Sequence, residues 1–283
     1  MGSAVGAALV RGGARAVVSV EGRSARTRRL AEAAGLALVP GLDDVVAEAD
    51  VVLSIAPPEA ARAIAGDLAA AARRTGARPL VADLNAISPE TVRGLAEELA
   101  SANLELVDGS ISGLPPWKPG TRVYLSGPRA REVAELPIAG VDRIVVGDGI
   151  GTASAVKMST ASVYKGTSAL LAHALLAARA NGVVEHVLDD LRAGSPELVA
   201  NVERRLASAA SKSGRYVGEM REIARTQAAA GLTPALFEAM ADVFSDLSET
   251  ALAQATPEDI EPDSALDDVL ARMRTERRTN DDA

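Results

Sequence analysis

The sequence predicts a doubly wound α/β sheet that lacks its first strand, followed by an all-α domain. Up to about residue 147, short apolar runs alternate with Ala-rich stretches of helical spacing. From Gly151 onward the strand-like runs stop and helical patterns fill the chain to about residue 255. Hydrophobic residues make up 48% of the 283, enough to fill two domains. Aromatics are only 2%, so those cores must be built from Ala, Val, Leu and Ile.

The chain opens on Met1-Gly2-Ser3-Ala4-Val5-Gly6-Ala7-Ala8-Leu9, a small-residue helix with no strand before it. Residues 16–20, 51–55, 80–84, 104–107 and 123–126 are the strand-like runs, and 26–34, 42–48, 59–73 and 89–99 are helical. Such alternation implies βαβ units and a mostly parallel sheet. Asp50 precedes one strand and Pro57-Pro58 ends it, which is turn chemistry at the right places. Residues 152–181 contain no Pro and a single Gly, and read as one helix roughly 45 Å long. Helical patterns continue over 183–192, 196–210, 216–230 and 234–255. An acidic connector and a short charged helix over 265–278 follow, with 279–283 expected to be disordered. The expected domains are 1–150, 151–262 and a charged tail over 263–283; no internal repeat is present.

Charge and composition exclude several function classes. Thirty basic against 38 acidic residues leave a formal net charge of −8, without the electrostatic footprint of a nucleic-acid binder. Zero cysteines exclude disulfides, thiolate metal sites and cysteine nucleophiles. The only histidines, His173 and His186, read as ordinary helix residues, so no metal site is expected. No apolar run reaches the roughly 18 residues of a membrane span. Gly6 stands where a myristoylation signal wants Ser or Thr, and Arg11 and Arg15 follow too short an apolar stretch for a secretory signal. The chain reads as cytoplasmic, with no membrane partner.

A dinucleotide-binding unit needs a strand, a Gly-rich turn, then a helix whose first N–H groups face the pyrophosphate. The opening at Gly2 and Ser3 fits the helix half of that unit. Glu21 ends the next strand, 19 residues beyond Gly2, close to the spacing of a ribose-reading position. A carboxylate there suits NAD. The following Gly22-Arg23-Ser24 suits the 2′-phosphate of NADP, since guanidinium and hydroxyl both bind its oxygens. NADP is favoured, with NAD the alternative; the bland reading makes Arg23 the start of a solvated helix with Arg26, Arg28 and Arg29.

Further motifs follow in order: Ser54-Ile55-Ala56-Pro57-Pro58, Asp83-Leu84-Asn85-Ala86-Ile87-Ser88-Pro89, Asp108-Gly109-Ser110-Ile111-Ser112-Gly113, and Gly149-Ile150-Gly151 six residues before Lys157. Together with Met1-Gly2, which matches the end of a Gly-x-Gly-x-Met-Gly turn, this pattern resembles the β-hydroxyacid dehydrogenases. It is closest to a poorly characterised branch grouped with 6-phosphogluconate dehydrogenase and the imine reductases, and 3-hydroxyisobutyrate dehydrogenase belongs to the same resemblance. The resemblance implies a Rossmann-like domain that binds the cofactor through Gly2, Ser3, Arg23, Ser24, Ala56, Pro57 and Asn85. It implies a substrate site at Ser112 and Gly113 and a catalytic Lys157 on the long helix. It also implies a homodimer paired through the helical domain. By itself Ser112-Gly113 equally serves a tight turn.

The proton chemistry agrees. Moving a hydride from a carbinol carbon leaves a hydroxyl proton to be removed, and a partly desolvated lysine can exchange it near neutral pH. Lys157, among Ala155, Val156, Met158 and Ala161, is the candidate, although most lysines are simply exposed. Family members carry an Asn one turn after this lysine, where Ala161 stands here. Thr160 or Tyr164 is expected to supply the polar partner on that face, and Tyr164 is assigned to the substrate. Leu114, followed by Pro115-Pro116-Trp117, replaces a glycine of the substrate signature and implies a more apolar pocket. A second family lysine has no match around 215–223, where Glu219 and Arg221 read as solvated residues.

The expected activity is hydride transfer between nicotinamide and a small hydroxy acid or alcohol. The alternatives are an imine reductase, which retention of Lys157 disfavours, and a non-catalytic interaction protein with a degenerate cofactor site. Ser154-Ala155-Val156-Lys157 and Lys212-Ser213-Gly214 resemble serine β-lactamase elements, but the intervening Ser-Asp-Asn is absent. Two further expectations concern the whole protein. The first strand is expected upstream of Met1, about 10–15 residues earlier by usual strand and turn lengths. The nearly uncharged helix over 152–181 needs more cover than one small domain offers, which also points to a dimer.

Overall fold

The computed structural model describes residues 1–254 and 265–273. It divides into two compact units, Met1–Ser159 and the chain from Thr160 onward. The first contains α1 (Gly2–Arg11), β1 (Val17–Ser19), α2 (Ala25–Ala33), β2 (Ala37–Val39), α3 (Leu42–Glu48), β3 (Val51–Ser54), α4 (Ala61–Thr75) and β4 (Leu80–Asp83). It continues through α5 (Pro89–Ala100), β5 (Leu106–Ser112), β6 (Thr121–Ser126), α6 (Ala130–Ala134), β7 (Val141–Gly147) and the first turns of α7 (Thr152–Ala180). Local chemistry sets several of these boundaries. Ser24 caps α2 by accepting from the Thr27 N–H at 3.2 Å, and Ser88 caps α5 from Thr91 at 3.1 Å with Pro89 in the first turn.

Two sheets form. β1 and β2 pair in parallel, and a separate sheet runs β3-β4-β5-β6-β7. All its pairings are parallel except β5 with β6. Among the described residues, β1 pairs with β2 alone and β3 with β4 alone. β4 lies between β3 and β5 in the larger sheet and is buried on both faces, as a strand of a helix-covered parallel sheet should be. Its Leu80 and Ala82 join Val5 and Ala8 of α1 and Val133 of α6. Its Val81 faces the other way, into Leu68 of α4 and Leu95 of α5. This two-sided winding bears out the Rossmann-type expectation. The sequence reading missed β2, only three residues between Gly35 and Pro40, and also β7. It ended β5 too early, because Asp108–Ser112 continues the strand.

The second unit is helical: the rest of α7, then α8 (Val184–Gly194), α9 (Pro196–Val199), α10 (Val202–Ala210), α11 (Ser213–Ala229), α12 (Ala235–Ser248), α13 (Ala251–Gln254) and α14 (Leu266–Arg272). Its interior uses Leu171, Leu175, Leu206, Met220, Ile223 and Phe244. α7 runs unbroken through Gly166, whose missing side chain leaves room for Met240 and Phe237 of α12. The single helix expected over 196–210 is interrupted at Asn201, which adopts a left-handed φ of 54°. The helix expected over 234–255 is likewise interrupted between Ser248 and Ala251. α14 buries Val269 and Leu270, and Asp267 pairs with Arg179 at 2.6 Å. The connector at 255–264 and the tail from 274 lie outside the described residues.

Glu219 corrects the sequence reading. It is not solvated: it is only 4% exposed and forms ion pairs with Lys165 and Arg215. A carboxylate can be buried when cations satisfy it, here Arg215 one turn away and Lys165 on α7, and the second of these is not visible in local spacing.

Candidate functional site

In the first unit, a polar row crosses four strands of the larger sheet, at the carboxyl ends of β3, β4 and β6 and where β5 leaves its pairing with β4. Ser54 is in register with Asp83, Asp83 with Asp108, and Asp108 with Ser126. All four are buried. Crevices at the carboxyl ends of parallel strands are where open α/β sheets bind their ligands. Gly109 allows the strands to close here, since a Cβ at that position would lie 2.3 Å from Leu84 Cδ2.

Asp83 and Asn85 organise one end of the row. Asp83 accepts from the Asn85 backbone at 3.1 Å and from its side-chain Nδ2 at 2.7 Å. Asn85 Nδ2 also donates to Ser54 Oγ at 3.0 Å, and Asn85 Oδ1 accepts from the Ala56 N–H. Asn85 thus fixes the turn that carries Ala56 and Pro57. Burial pushes the Asp83 carboxyl up to about 7, against its hydrogen bonds from Asn85 and Ser54 and with a further push from Asp108.

Asp108 organises the other end, where α7 begins. Its Oδ2 accepts from Ser126 Oγ at 2.8 Å and from the Gly151 and Ser154 N–H groups at 2.9 and 3.1 Å. Its Oδ1 accepts from Ser154 Oγ at 2.6 Å. An anion at a helix N-terminus satisfies donors that the helix itself leaves open. Ser110 Oγ adds a bond to the Ala153 carbonyl at 3.0 Å. The start of α7 is therefore fastened to β5.

That fastening sets Lys157 beside the end of the same strand. Its Nζ donates to the Ile111 carbonyl at 2.8 Å, one residue before Ser112. Gly113 follows with a φ of +100°, and a Cβ there would sit 2.9 Å from the Gly120 carbonyl oxygen. The structure thus brings together Lys157, Ser112 and Gly113. A half-buried ammonium, a strand-end hydroxyl and a turn backbone are groups able to hold and exchange protons with a small oxygenated molecule.

The other predicted cofactor positions also belong to this unit, at helix starts and strand ends. Gly2 begins α1 within 4.0 Å of Ile55, measured from where its Cβ would be, so α1 starts beside the β3 turn. Ser3 follows in the first turn of α1. Arg23 is exposed after β1, and the Ser24 hydroxyl is engaged in capping α2. A helix N-terminus of small residues, a polar turn at Ala56 and an exposed cation beyond β1 fit an extended anionic dinucleotide. Tyr164 belongs to the second unit, where it is 73% exposed and lines a pocket with Lys165. Sequence reasoning quoted Asp83 and Asp108 within motifs but gave them no role; the available signal was an aspartate at the same place in two apolar strand runs. Among the described residues, no cluster of three or more metal-ligating side chains occurs, and no helix is long and apolar enough to cross a membrane.

Comparison with known proteins places this architecture. A domain of unknown function, DUF1932, matches residues 178–247, within the helical half. A conserved protein of unknown function, MTH1747, described as structurally similar to 3-hydroxyacid dehydrogenases, is 30% identical. The match covers 87% of this chain and 93% of that one, with a TM-score of 0.63. A conserved hypothetical protein from Sinorhizobium meliloti 1021 is 28% identical over 96% of this chain and 93% of its own, with a TM-score of 0.64. Mycobacterium tuberculosis 3-hydroxyisobutyrate dehydrogenase shares the fold at 22% identity, covering 97% of this chain and 96% of its own, with a TM-score of 0.68. The two-sided sheet, the helical second half and the 30% identity to MTH1747 over most of both chains lead to one conclusion: the chain belongs to the same family as MTH1747, and its fold is the two-domain fold of the 3-hydroxyacid dehydrogenases.

Proposed function

We infer that the protein is an NAD(P)-dependent oxidoreductase acting on a small hydroxy acid or alcohol. The observation that carries this reading is the Lys157–Ile111 contact, which holds a half-buried amine against the strand end bearing Ser112 and Gly113. The 3-hydroxyacid dehydrogenase fold supports it. Gly2, Ser3, Ala56, Pro57 and Asn85 would hold the nicotinamide cofactor, which supplies a carbon centre able to accept or release hydride. Arg23, exposed and with no partner for its guanidinium among the described residues, favours NADP over NAD.

The protein's own part is acid–base and positional. Lys157 Nζ hydrogen-bonds the substrate oxygen and exchanges its proton, while Ser112 Oγ and the Gly113 N–H orient a neighbouring carboxylate or hydroxyl. Nicotinamide fluorescence titration tests the binding half: NADPH should bind more tightly than NADH, and no binding of either would sink the reading. Lys157→Ala tests the chemical half. It should lower turnover roughly 10²–10⁴-fold, the usual worth of a general acid–base group, with cofactor affinity unchanged.

A further inference from the structure

The second unit contains a cavity of about 490 Å³ between α7, α9, α10 and the start of α11. That volume is in the range of small-molecule sites. Its lining includes Tyr164 and Ser168 of α7, Leu198 of α9, Arg205 and Ser208 of α10 and Tyr216 of α11.

Charged side chains gather around it. Glu219 is buried and fully engaged: Lys165 and Arg215 both pair with it. Lys165 also lies over the Tyr216 ring, 4.6 Å from its centroid, and Tyr216 is steadied edge-on by Phe244 at 5.2 Å. Lys212 donates to Ser208 Oγ at 2.7 Å, a neutral acceptor, and burial together with the charge of Arg215 lowers its pKa. Arg205 is half-buried; its backbone N–H bonds the Asn201 carbonyl, but its guanidinium has neither ion pair nor hydrogen bond among the described residues. On the wall itself, among the described residues, Lys165 and Arg205 face a single carboxylate, Glu197, which is exposed. Cations therefore outnumber carboxylates here, in a chain whose net charge is −8. A half-buried guanidinium loses hydration without compensation unless an anion supplies it.

We propose that this cavity is a binding site for an organic carboxylate, with Arg205 as its recognition residue. The planar fork of a guanidinium matches a carboxylate in bidentate fashion, which favours that anion over a spherical one. Leu198, Ala209 and the rings of Tyr164 and Tyr216 give the rest of the ligand an apolar and aromatic surface. Ser208, held by Lys212, adds a polar contact beside Arg205. The site is made wholly of second-unit residues, so it does not rest on the oxidoreductase reading.

Calorimetric titration of the full chain with benzoate, with benzamide as the neutral isostere and with inorganic phosphate, tests the proposal in the absence of nicotinamide. Benzoate is expected to bind saturably and benzamide at least tenfold more weakly. Arg205→Ala and Arg205→Gln should each weaken benzoate ten- to a hundredfold, the scale of a lost charge-assisted bond, while melting temperature and NADPH binding stay as in the parent. Equal binding of benzoate and benzamide overturns the proposal. So does benzoate affinity that is indifferent to both Arg205 variants, tighter binding of phosphate than of benzoate, or no saturable binding at all. A parallel NADPH titration reports separately on the first-unit site.

Discussion

Asp108 holds Ser154 twice, through its hydroxyl at 2.6 Å and its backbone N–H at 3.1 Å, and so ties the end of the parallel part of the sheet to the first turn of α7. Removing the carboxylate leaves several buried donors without acceptors. Asp108→Ala should cost about 2–4 kcal/mol, and Ser154→Ala about 1 kcal/mol because only one bond is lost. Urea denaturation measures both. If the two substitutions cost the same, Asp108 is not the centre of the network.

Asp83 makes stability depend on pH in an unusual direction for a carboxylate. Unfolded, it titrates near 3.8; folded, burial pushes it up to about 7. Between those values the folded chain keeps a proton that the unfolded chain has released. Stability contributed at this site is therefore present at low pH and lost as pH rises from about 4 to 7. Asp83→Asn should remove that component. The check is the pH dependence of the urea midpoint in parent and variant; parallel curves across this window would rule the account out.

Arg23 should distinguish the two cofactors. Arg23→Ala is expected to weaken NADPH by roughly 1.5–3 kcal/mol, the worth of a hydrogen bond to a charged group, and to leave NADH nearly untouched. Fluorescence titration of both cofactors against both proteins reads the difference directly. Equal losses would make Arg23 an ordinary surface charge.

α7 leaves Val163 and Leu170 more than 60% exposed, on a face whose neighbouring exposed positions include Ala174 and Ala177. Such a stripe on a helix otherwise packed into its unit is a surface suited to a second copy. Light scattering should report a dimer at micromolar concentration, and Leu170→Glu should shift it toward the monomer of 29.0 kDa. A monomeric parent protein would defeat this expectation.

The parts legible in the sequence were those with long periodic signals. α7 was foreseen almost to the residue because no Pro interrupts it, and β4 because Leu80-Val81-Ala82 is apolar on both faces. β2 was invisible because three residues cannot establish a period. The Lys157 neighbourhood was legible through its motifs, whereas the roles of Asp83 and Asp108 depend on strand register, which places residues far apart in sequence side by side. Glu219 shows a related limit: Arg215 is one turn away, but its other partner, Lys165, lies on a different helix.

The fastening of α7 by Asp108 gives Lys157 a second anchor at a distance. Gly151 and Ser154 hang from Asp108, and Lys157, one turn further along the helix, reaches the Ile111 carbonyl of the same strand. β5 therefore grips the first turns of α7 at two places, so a substitution that loosens the buried carboxylate end is felt by the amine without touching it.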